Sequence, residues 1–341
     1  VFPSRPRPLA VIVTAPNDAL GVFHGVHLNP WWTPSSPTPS PFSRRVRRTL
    51  TQLVSDDYGN RFLIELIQNA HDAHDPSCAD GEIAILLDPS EGENGCLYVA
   101  NRGFGFGGSN LKAITNIALS SKPVNAGIGN KGLGFRSVLQ VCNWPEVHSV
   151  LGEAGRGAFD GYCFRFATLE DLQQHLGAGQ AELAQELAEN LPCWHVPMPA
   201  NSCPSVERFA AEGFATVVRL PLKSSDALAV VRSQIDALLG LTTPLHLFLD
   251  RVARISIDAG NGKAVLLDRS VEQKWTLQPP GFQVDSPIAI AKLRLNAQEF
   301  VVAHWDIDEK LFRVSLNASL EKGEVPDSWK HWEGSARVSV A

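Results

Sequence analysis

The sequence lacks the features of a membrane protein or a secreted protein. No apolar run approaches the length of a membrane-spanning helix, and no secretory leader is visible at the start. An excess of positive charge is lacking too, since 30 lysine and arginine residues stand against 36 aspartate and glutamate residues, a net charge of −6. Such a balance is not typical of nucleic-acid binding. We therefore predict a cytoplasmic protein that contacts neither membrane nor nucleic acid.

Metal-binding and common nucleotide-binding signatures are also missing. The six cysteines are scattered, with no Cys-x-x-Cys pair and no Cys/His spacing of a zinc site, so we expect free thiols in a reducing compartment. No Gly-Lys-Ser/Thr occurs at Walker A spacing, and the acidic ribose contact of a dinucleotide fold is absent. P-loop and dinucleotide-binding folds are therefore not expected.

Changes in composition along the chain indicate three segments. Residues 1–43 are rich in proline and serine, which predicts an extended N-terminal segment. We predict a main domain over 44–260 and the start of a second, truncated α/β or mostly β domain over 261–341. The first residue is valine and the last residues read as a strand in progress. We therefore expect further domains of the same chain beyond this sequence.

The polar face of one predicted helix carries the candidate metal-binding residues. Apolar residues recur near a 3.6-residue period between Phe62 and Ala70, which indicates a helix. Glu65 and Asn69 are four residues apart, and Asp72 follows three residues later, so the three share a face. Carboxylate and amide oxygens suit Mg²⁺, which completes its shell with water and nucleotide phosphates. For this stretch alone, a solvated polar face is the competing interpretation.

Two glycine runs follow. A predicted strand over 96–100 leads into the run 101–108, where glycine lets the backbone approach a ligand closely. A second run, 127–134, precedes a helix predicted from Phe135, whose free N–H groups would favour a phosphate, with Lys131 adding a point charge. A glycine-rich loop alone does not identify a nucleotide site.

The remaining pattern predicts an α+β protein. His71 and His74 are interpreted as surface residues, because no third metal ligand is near in sequence. Strands are predicted over 82–87, 96–100, 147–150, 162–166, 213–222, 252–257, 264–267, 288–295 and 312–316. Helices are predicted over 111–119, 170–191 and 227–241, with an irregular loop at 192–204.

The order of these elements resembles the GHKL ATPases, which include Hsp90, the gyrase B subunit, MutL and the histidine kinases. Four motifs of that family have counterparts in the expected order. They are E-x-x-x-N-x-x-D-A at Glu65, Asn69, Asp72 and Ala73; D-x-G-x-G at Gly103 and Gly105, with Asn101 in place of Asp; G-x-x-G-x-G at Gly129, Gly132 and Gly134; and a strand threonine at Thr216.

A narrower resemblance is to the sacsin and NO VEIN branch, through 62–70, 101–106, 120–122 and 128–138. That branch often carries Asn at the position of Asn101. The resemblance covers about 45–258. It implies the Bergerat fold, a two-layer α/β sandwich with a mixed, mostly antiparallel sheet and helices on one face.

The resemblance also implies a site for ATP and Mg²⁺. Glu65 would be the general base that activates water, Asn69 would hold Mg²⁺, and Asp72 would brace the site through hydrogen bonds. Asn101 would accept a hydrogen bond from the adenine amino group through its side-chain oxygen. Thr216 would bond near the adenine or a water, with a plain strand threonine as the alternative. Gly129, Gly132 and Gly134 would wrap the phosphates, with Lys122 and Lys131 as candidate phosphate contacts or, alternatively, plain solvated lysines. Gly103, Gly105 and Phe135 complete the expected nucleotide-binding set.

The predicted function is Mg²⁺-dependent ATP binding and slow hydrolysis by a module of a larger protein, with a chaperone-like or defence-associated output and a possible protein client. A pseudo-ATPase that senses ATP without turnover is the main alternative, although Glu65 is intact. A histidine kinase would need an upstream phosphoacceptor hairpin, which 1–43 does not supply. A gyrase- or MutL-like enzyme would need a basic groove, and 261–341 has no basic cluster.

Overall fold

The computed structural model describes residues 61–115, 134–151, 157–190, 196–241, 244–278, 287–325, 330 and 336–341. The predicted segment 1–43 lies outside the described residues. So do four of the predicted phosphate-binding residues, Lys122, Gly129, Lys131 and Gly132.

In these ranges the chain forms eleven strands, seven α-helices and three short 3₁₀ helices. The strands are β1 Gly81–Asp88, β2 Cys96–Asn101, β3 Glu146–Ser149, β4 Phe164–Phe166, β5 Pro197–Pro199, β6 Thr216–Pro221, β7 Val252–Asp258, β8 Ala264–Leu277, β9 Ile288–Leu295, β10 Gln298–Ile307 and β11 Ala336–Val340. The α-helices are α1 Phe62–Asp72, α2 Gly108–Thr115, α3 Leu169–Leu176, α4 Ala181–Asn190, α5 Pro204–Ala211, α6 Ser225–Leu239 and α7 Glu309–Glu321. The 3₁₀ helices are Gly134–Gln140, Ala178–Gln180 and Leu245–Phe248.

The strands form one open sheet in the order β11-β10-β9-β8-β7-β1-β2-β6-β3-β4-β5. The β1–β7 pair is parallel, and the other pairs are antiparallel. The long strand β8 pairs with β7 through its first half and with β9 through its second half. This confirms the predicted α+β class with a mixed, mostly antiparallel sheet.

One face of the sheet, which we call the helix face, is covered by α1 and α6. Side chains alternate between the two faces of a strand, so Ile83, Ile85, Leu97 and Val99 point to the same side. They form the main core with apolar residues of the two helices and of the 134–140 3₁₀ helix. These helix residues are Phe62, Leu63, Leu66, Ile67 and Ala70 of α1, Val138 of the 3₁₀ helix, and Ala227, Val231 and Ile235 of α6.

The second face of the sheet carries α5. Tyr98 and Ala100 of β2 alternate with the helix-face residues and pack against Val206 and Phe209 of α5. The prediction that the helices lie on one face is therefore wrong for α5, which the sequence analysis did not identify as a helix. The sequence pattern of α5 is short, because the helix that starts at Pro204 has only eight residues.

The predicted strand at 312–316 is wrong, because the structure has α7 there. Phe312, Leu316 and Leu320 are four residues apart, which is a helix period, and Leu316 is the buried one. Asp308 caps the helix by accepting a hydrogen bond from the backbone N–H of Lys310 at 2.9 Å. The domain boundary near 260 stays a prediction. No helix within the described ranges is both long and apolar enough to cross a bilayer.

Candidate functional site

The polar residues of α1 divide into two kinds. Glu65 and Asn69 are half-buried and lie one turn apart on the less buried side of the helix. Asp72 differs, because only 2% of its side chain is exposed and its Oδ1 lies 3.0 Å from Nδ1 of His71. The structure thus leaves Glu65 and Asn69 as the more accessible pair, with Asp72 buried below the end of the helix.

The prediction that His71 and His74 are surface residues is wrong, because both are buried. The ring of His71 lies between two carboxylates, with Asp72 at 3.0 Å from Nδ1 and Asp250 at 2.9 Å from Nε2. Burial alone would lower the pKa of His71, but the hydrogen bonds to Asp250 and Asp72 outweigh it and raise that pKa. No sequence signal could show this contact, because Asp250 lies 179 residues away.

Gly103 packs directly against the end of α1. A Cβ atom at this position would lie 2.3 Å from the carbonyl oxygen of Ala73 and 2.6 Å from its carbonyl carbon. The next N–H, that of Phe104, donates to the same oxygen at 2.7 Å. Only glycine permits this approach. The first two predicted motifs, about thirty residues apart in the chain, therefore meet at this contact.

Three polar residues form a row where the strands end, which we call the strand-end row. Asn101 lies opposite Thr216 in the β2–β6 pair, and Thr216 lies opposite Ser149 in the β6–β3 pair. Asn101 is two residues beyond Val99 and so shares the helix face with it. All three side chains are buried. Polar side chains at such depth need hydrogen bonds, and the following loop supplies them.

The loop over 102–107 is attached to the strand-end row by side-chain hydrogen bonds. The N–H of Phe106 donates to Oγ of Ser149 at 2.5 Å, and Oγ1 of Thr216 donates to the carbonyl oxygen of Phe104 at 3.5 Å. The two hydroxyl oxygens lie 3.1 Å apart. The sequence carries no signal for a role of Ser149, because the pairing of β3 with β6 cannot be predicted from it.

The amide of Asn101 has a fixed orientation. The backbone N–H of Gly103 donates to Oδ1 of Asn101 at 3.1 Å. Because an N–H group can only donate, the oxygen must face this turn and the Nδ2 amine must point away from it. The side-chain oxygen, which we expected to face the adenine, is thus engaged by the protein's own turn.

The third predicted motif is described only at its end. The helix predicted from Phe135 is a 3₁₀ helix that begins at Gly134, and Phe135 is half-buried against the main core. Arg136, which the sequence analysis did not single out, is 98% buried, and its Nη2 donates to the carbonyl oxygen of Ile114 at 3.4 Å. The end of this motif therefore lies beside both α1 and α2.

A cleft of about 310 Å³ lies on the second face, away from the strand-end row. Its wall includes Arg102, which pairs with Glu82 at 2.8 Å and stacks over the ring of Phe214 at 4.6 Å. These contacts engage the Arg102 charge within the protein. We assign no function to this cleft.

The oxygen donors on α1 are of the chemical kind that Mg²⁺ takes in nucleotide sites. Within the described ranges, no three His, Cys, Asp or Glu side chains converge as a self-sufficient metal site. Mg²⁺ in nucleotide sites does not need one, because one or two protein oxygens, phosphates and water complete its octahedron. Half-buried Asn69 carries an amide oxygen of this kind, and the half-buried Glu65 carboxylate lies one turn away from it.

No family model matches the chain. A segment of 108 residues is 33% identical to Protein NO VEIN of Arabidopsis thaliana. The match covers 31% of this chain and 4% of that protein, so it concerns a small part of a much longer relative. It is a partial similarity that agrees with the narrower resemblance found in the sequence.

Proposed function

We propose that this chain binds ATP with Mg²⁺ and hydrolyses it slowly, as a Bergerat-fold module of the GHKL type. The observation that carries the proposal is the contact between Gly103 and Ala73, which joins the end of α1 to the glycine loop beside Asn101 and Thr216. The order of the motifs and the partial similarity to Protein NO VEIN support it. The output of a larger protein, chaperone-like or defence-associated, is part of the same proposal.

The residues have separate roles in this proposal. Glu65 orients a water molecule and takes up its proton as general base, and Asn69 holds the metal through its side-chain oxygen. The ion, when bound, neutralises phosphate charge. Asp72 is a positioning residue, because it is buried against His71 at the end of the helix. Gly103 and Gly105 allow the backbone to come close to the nucleotide.

Calorimetry and single-turnover hydrolysis test the proposal. We expect Glu65→Ala to reduce hydrolysis by roughly 10²–10⁴-fold and to leave ATP affinity within a few-fold, because a general base acts on the chemical step. Gln68→Ala, a half-buried position on the same helix, is the control and should behave like the parent. No heat of binding at millimolar ATP with Mg²⁺ would refute the proposal. Binding without turnover in the parent would favour the pseudo-ATPase alternative.

A further inference from the structure

Arg269 of β8 is a buried cation whose guanidinium is not fully satisfied. It is two residues beyond Leu267 and so lies on the helix face, where only 9% of its surface is exposed. Among the described residues, its Nε atom has no hydrogen-bond partner. Burial lowers the pKa of Arg269, as expected for a charge that has left water without gaining a partner. A buried charge of this kind is destabilising until a carboxylate balances it.

Asp250 is the carboxylate that can balance Arg269. It precedes β7 by two residues, and β7 pairs with β8. Its charge acts on Arg269 and opposes the effect of burial on the pKa, with no hydrogen bond between the two side chains. The other groups nearby are not available, because the Asp268 carboxylate is bound to Arg254 at 3.0 Å, and burial keeps the His246 ring neutral by lowering its pKa to about 4.

In the described structure, α1 holds Asp250 instead. Oδ1 of Asp250 accepts a hydrogen bond from Nε2 of His71 at 2.9 Å. The Asp250 side chain is 54% exposed and that of His71 only 3%, so Asp250 is the partner with room to rotate. When Asp250 leaves, His71 keeps a second carboxylate, that of Asp72 at 3.0 Å. Asp250 can therefore exchange one cation for another without leaving the buried imidazole unpaired.

We propose that Asp250 is a two-position carboxylate, bound to His71 of α1 in the described structure and to Arg269 of β8 in a second state. The move breaks one charge-assisted hydrogen bond and forms another, and it transfers no proton. Each state satisfies the carboxylate, so the two arrangements are close enough in free energy for one to replace the other. The end of α1 and the strand β8 are thereby coupled, because only one of them can hold Asp250 at a time.

This coupling extends to the proposed nucleotide site, and in that respect it rests on the proposed function. Glu65 and Asn69 lie on the same helix as His71. A nucleotide that shifts the end of α1 weakens the contact between His71 and Asp250 and favours the state in which Arg269 holds the carboxylate. β8 then responds to the occupancy of a site that it does not touch.

The sign of one substitution in two backgrounds tests the proposal. In the parent, Arg269→Met should raise Tm by about 2–4 °C, because it removes a buried charge that has no partner. In His71→Leu, Asp250 has lost its partner on α1 and pairs with Arg269, so Arg269→Met should lower Tm there. Thermal unfolding of the four proteins as full chains measures both effects. The control is Arg254→Met, which removes a half-exposed arginine of β7 and should shift Tm equally in both backgrounds.

Effects of Arg269→Met that have the same sign in both backgrounds overturn the proposal, and so does a lower Tm in the parent. If His71→Leu does not fold, Asp250→Asn takes its place as the second background. Arg269 then has no carboxylate acting on it, so Arg269→Met should raise Tm by more than it does in the parent. An equal rise would show that Asp250 and Arg269 do not interact.

Deuterium exchange with and without ATP and Mg²⁺ tests the link to the nucleotide site. In the parent, we expect exchange of the amides over 267–271 to change when the nucleotide binds, and in Asp250→Asn we expect it to stay constant. Unchanged exchange in a parent that binds ATP by calorimetry overturns the coupling to the nucleotide. If the parent does not bind ATP, the proposed function fails, and the two-background comparison still decides whether Asp250 has two positions.

Discussion

At the scale of single residues, Gly103 is a position where an added side chain would collide with the backbone of another segment. Its missing side chain brings two backbone segments into contact, and a Cβ atom would collide with carbonyl atoms rather than with a side chain that could rotate away. Backbone atoms at the end of α1 can move only if the helix moves with them. The requirement for glycine here is therefore steric, and it does not depend on an unusual backbone angle.

We expect Gly103→Ala to lower the free energy of unfolding by about 1–3 kcal/mol, the usual effect of overpacking. Gly179→Ala is the matched control, because a Cβ atom added there would have nothing within 4 Å, and it should change stability by less than about 0.5 kcal/mol. Urea denaturation of both variants measures the difference. Similar stabilities for the two variants would show that the end of α1 yields easily.

At the scale of elements, the buried imidazole of His71 joins α1 to the chain just before β7. Nδ1 of His71 is hydrogen-bonded to the Asp72 carboxylate, and its Nε2 to the Asp250 carboxylate. Nη1 of Arg251 donates to the carbonyl oxygens of Asp72 and His74 at 3.5 and 3.1 Å. His74 packs beside it, and burial lowers the pKa of that neighbour. The end of α1 is thus fixed by contacts from a distant part of the chain.

This contact predicts a pH dependence of stability. The folded-state pKa of His71 is raised above its ordinary value of 6.5, so the folded protein holds the proton more tightly than the unfolded chain. The contribution of the His71 proton to the free energy of unfolding is complete below pH 6.5, and it is lost as the pH rises through the folded-state pKa. We expect His71→Gln to cost about 1–3 kcal/mol at low pH and less at high pH, as measured by denaturation between about pH 5.5 and about pH 9.

His246 supplies the comparison for that experiment. Burial lowers the pKa of His246 to about 4, and its Nε2 donates a hydrogen bond to the carbonyl oxygen of Val252 at 2.9 Å. Its effect has the opposite sign, since stability falls as the pH drops from 6.5 toward 4. The difference in free energy of unfolding between the parent and His71→Gln isolates the contribution of His71, because His246 is the same in both proteins. A difference that stays constant across the range would contradict a charged His71.

The elements also show what the sequence could and could not predict. α1 and α6 were identifiable because their apolar residues repeat at the helix period over three or more turns. The alternating residues at 312–316 predict a strand instead of α7, because a window of five residues fits either period. The sequence predicts that each residue of the strand-end row lies near the end of a strand. It does not predict that the three residues are neighbours, because this depends on pairing between strands far apart in the chain. The orientation of the Asn101 amide depends on a turn that only the structure shows.

At the scale of the whole molecule, the sheet has two unlike halves. Every residue of β2 is buried, because α1 and α6 cover one face and α5 covers the other. Most residues of β8 are exposed, although its first half pairs with β7. Leu267 of β8 still packs against the main core. β8 therefore contacts the main core as well as the strands that follow it.

A fragment that ends at residue 260 should therefore be less stable than the full chain and should self-associate. Removing β8 leaves the backbone groups of β7 unpaired at a sheet edge and removes Leu267 from the core. A fragment that ends at residue 278 retains β8 and is the control. Sedimentation and urea denaturation of the two fragments measure the difference. Equal behaviour would place the domain boundary before β8, as the sequence predicts.

The loop over 102–107 has a consequence for amide exchange with solvent. The residue Phe104 is half exposed, yet its N–H donates to Ala73, and the N–H groups of Gly103 and Phe106 donate to Asn101 and Ser149. These acceptors belong to the end of α1, to β2 and to β3, so opening the loop requires release from three elements together. Its deuterium uptake should accordingly be slow, in step with the sheet rather than with an ordinary surface loop. Rapid, independent uptake at Phe104 and Phe106 would show that the loop opens alone.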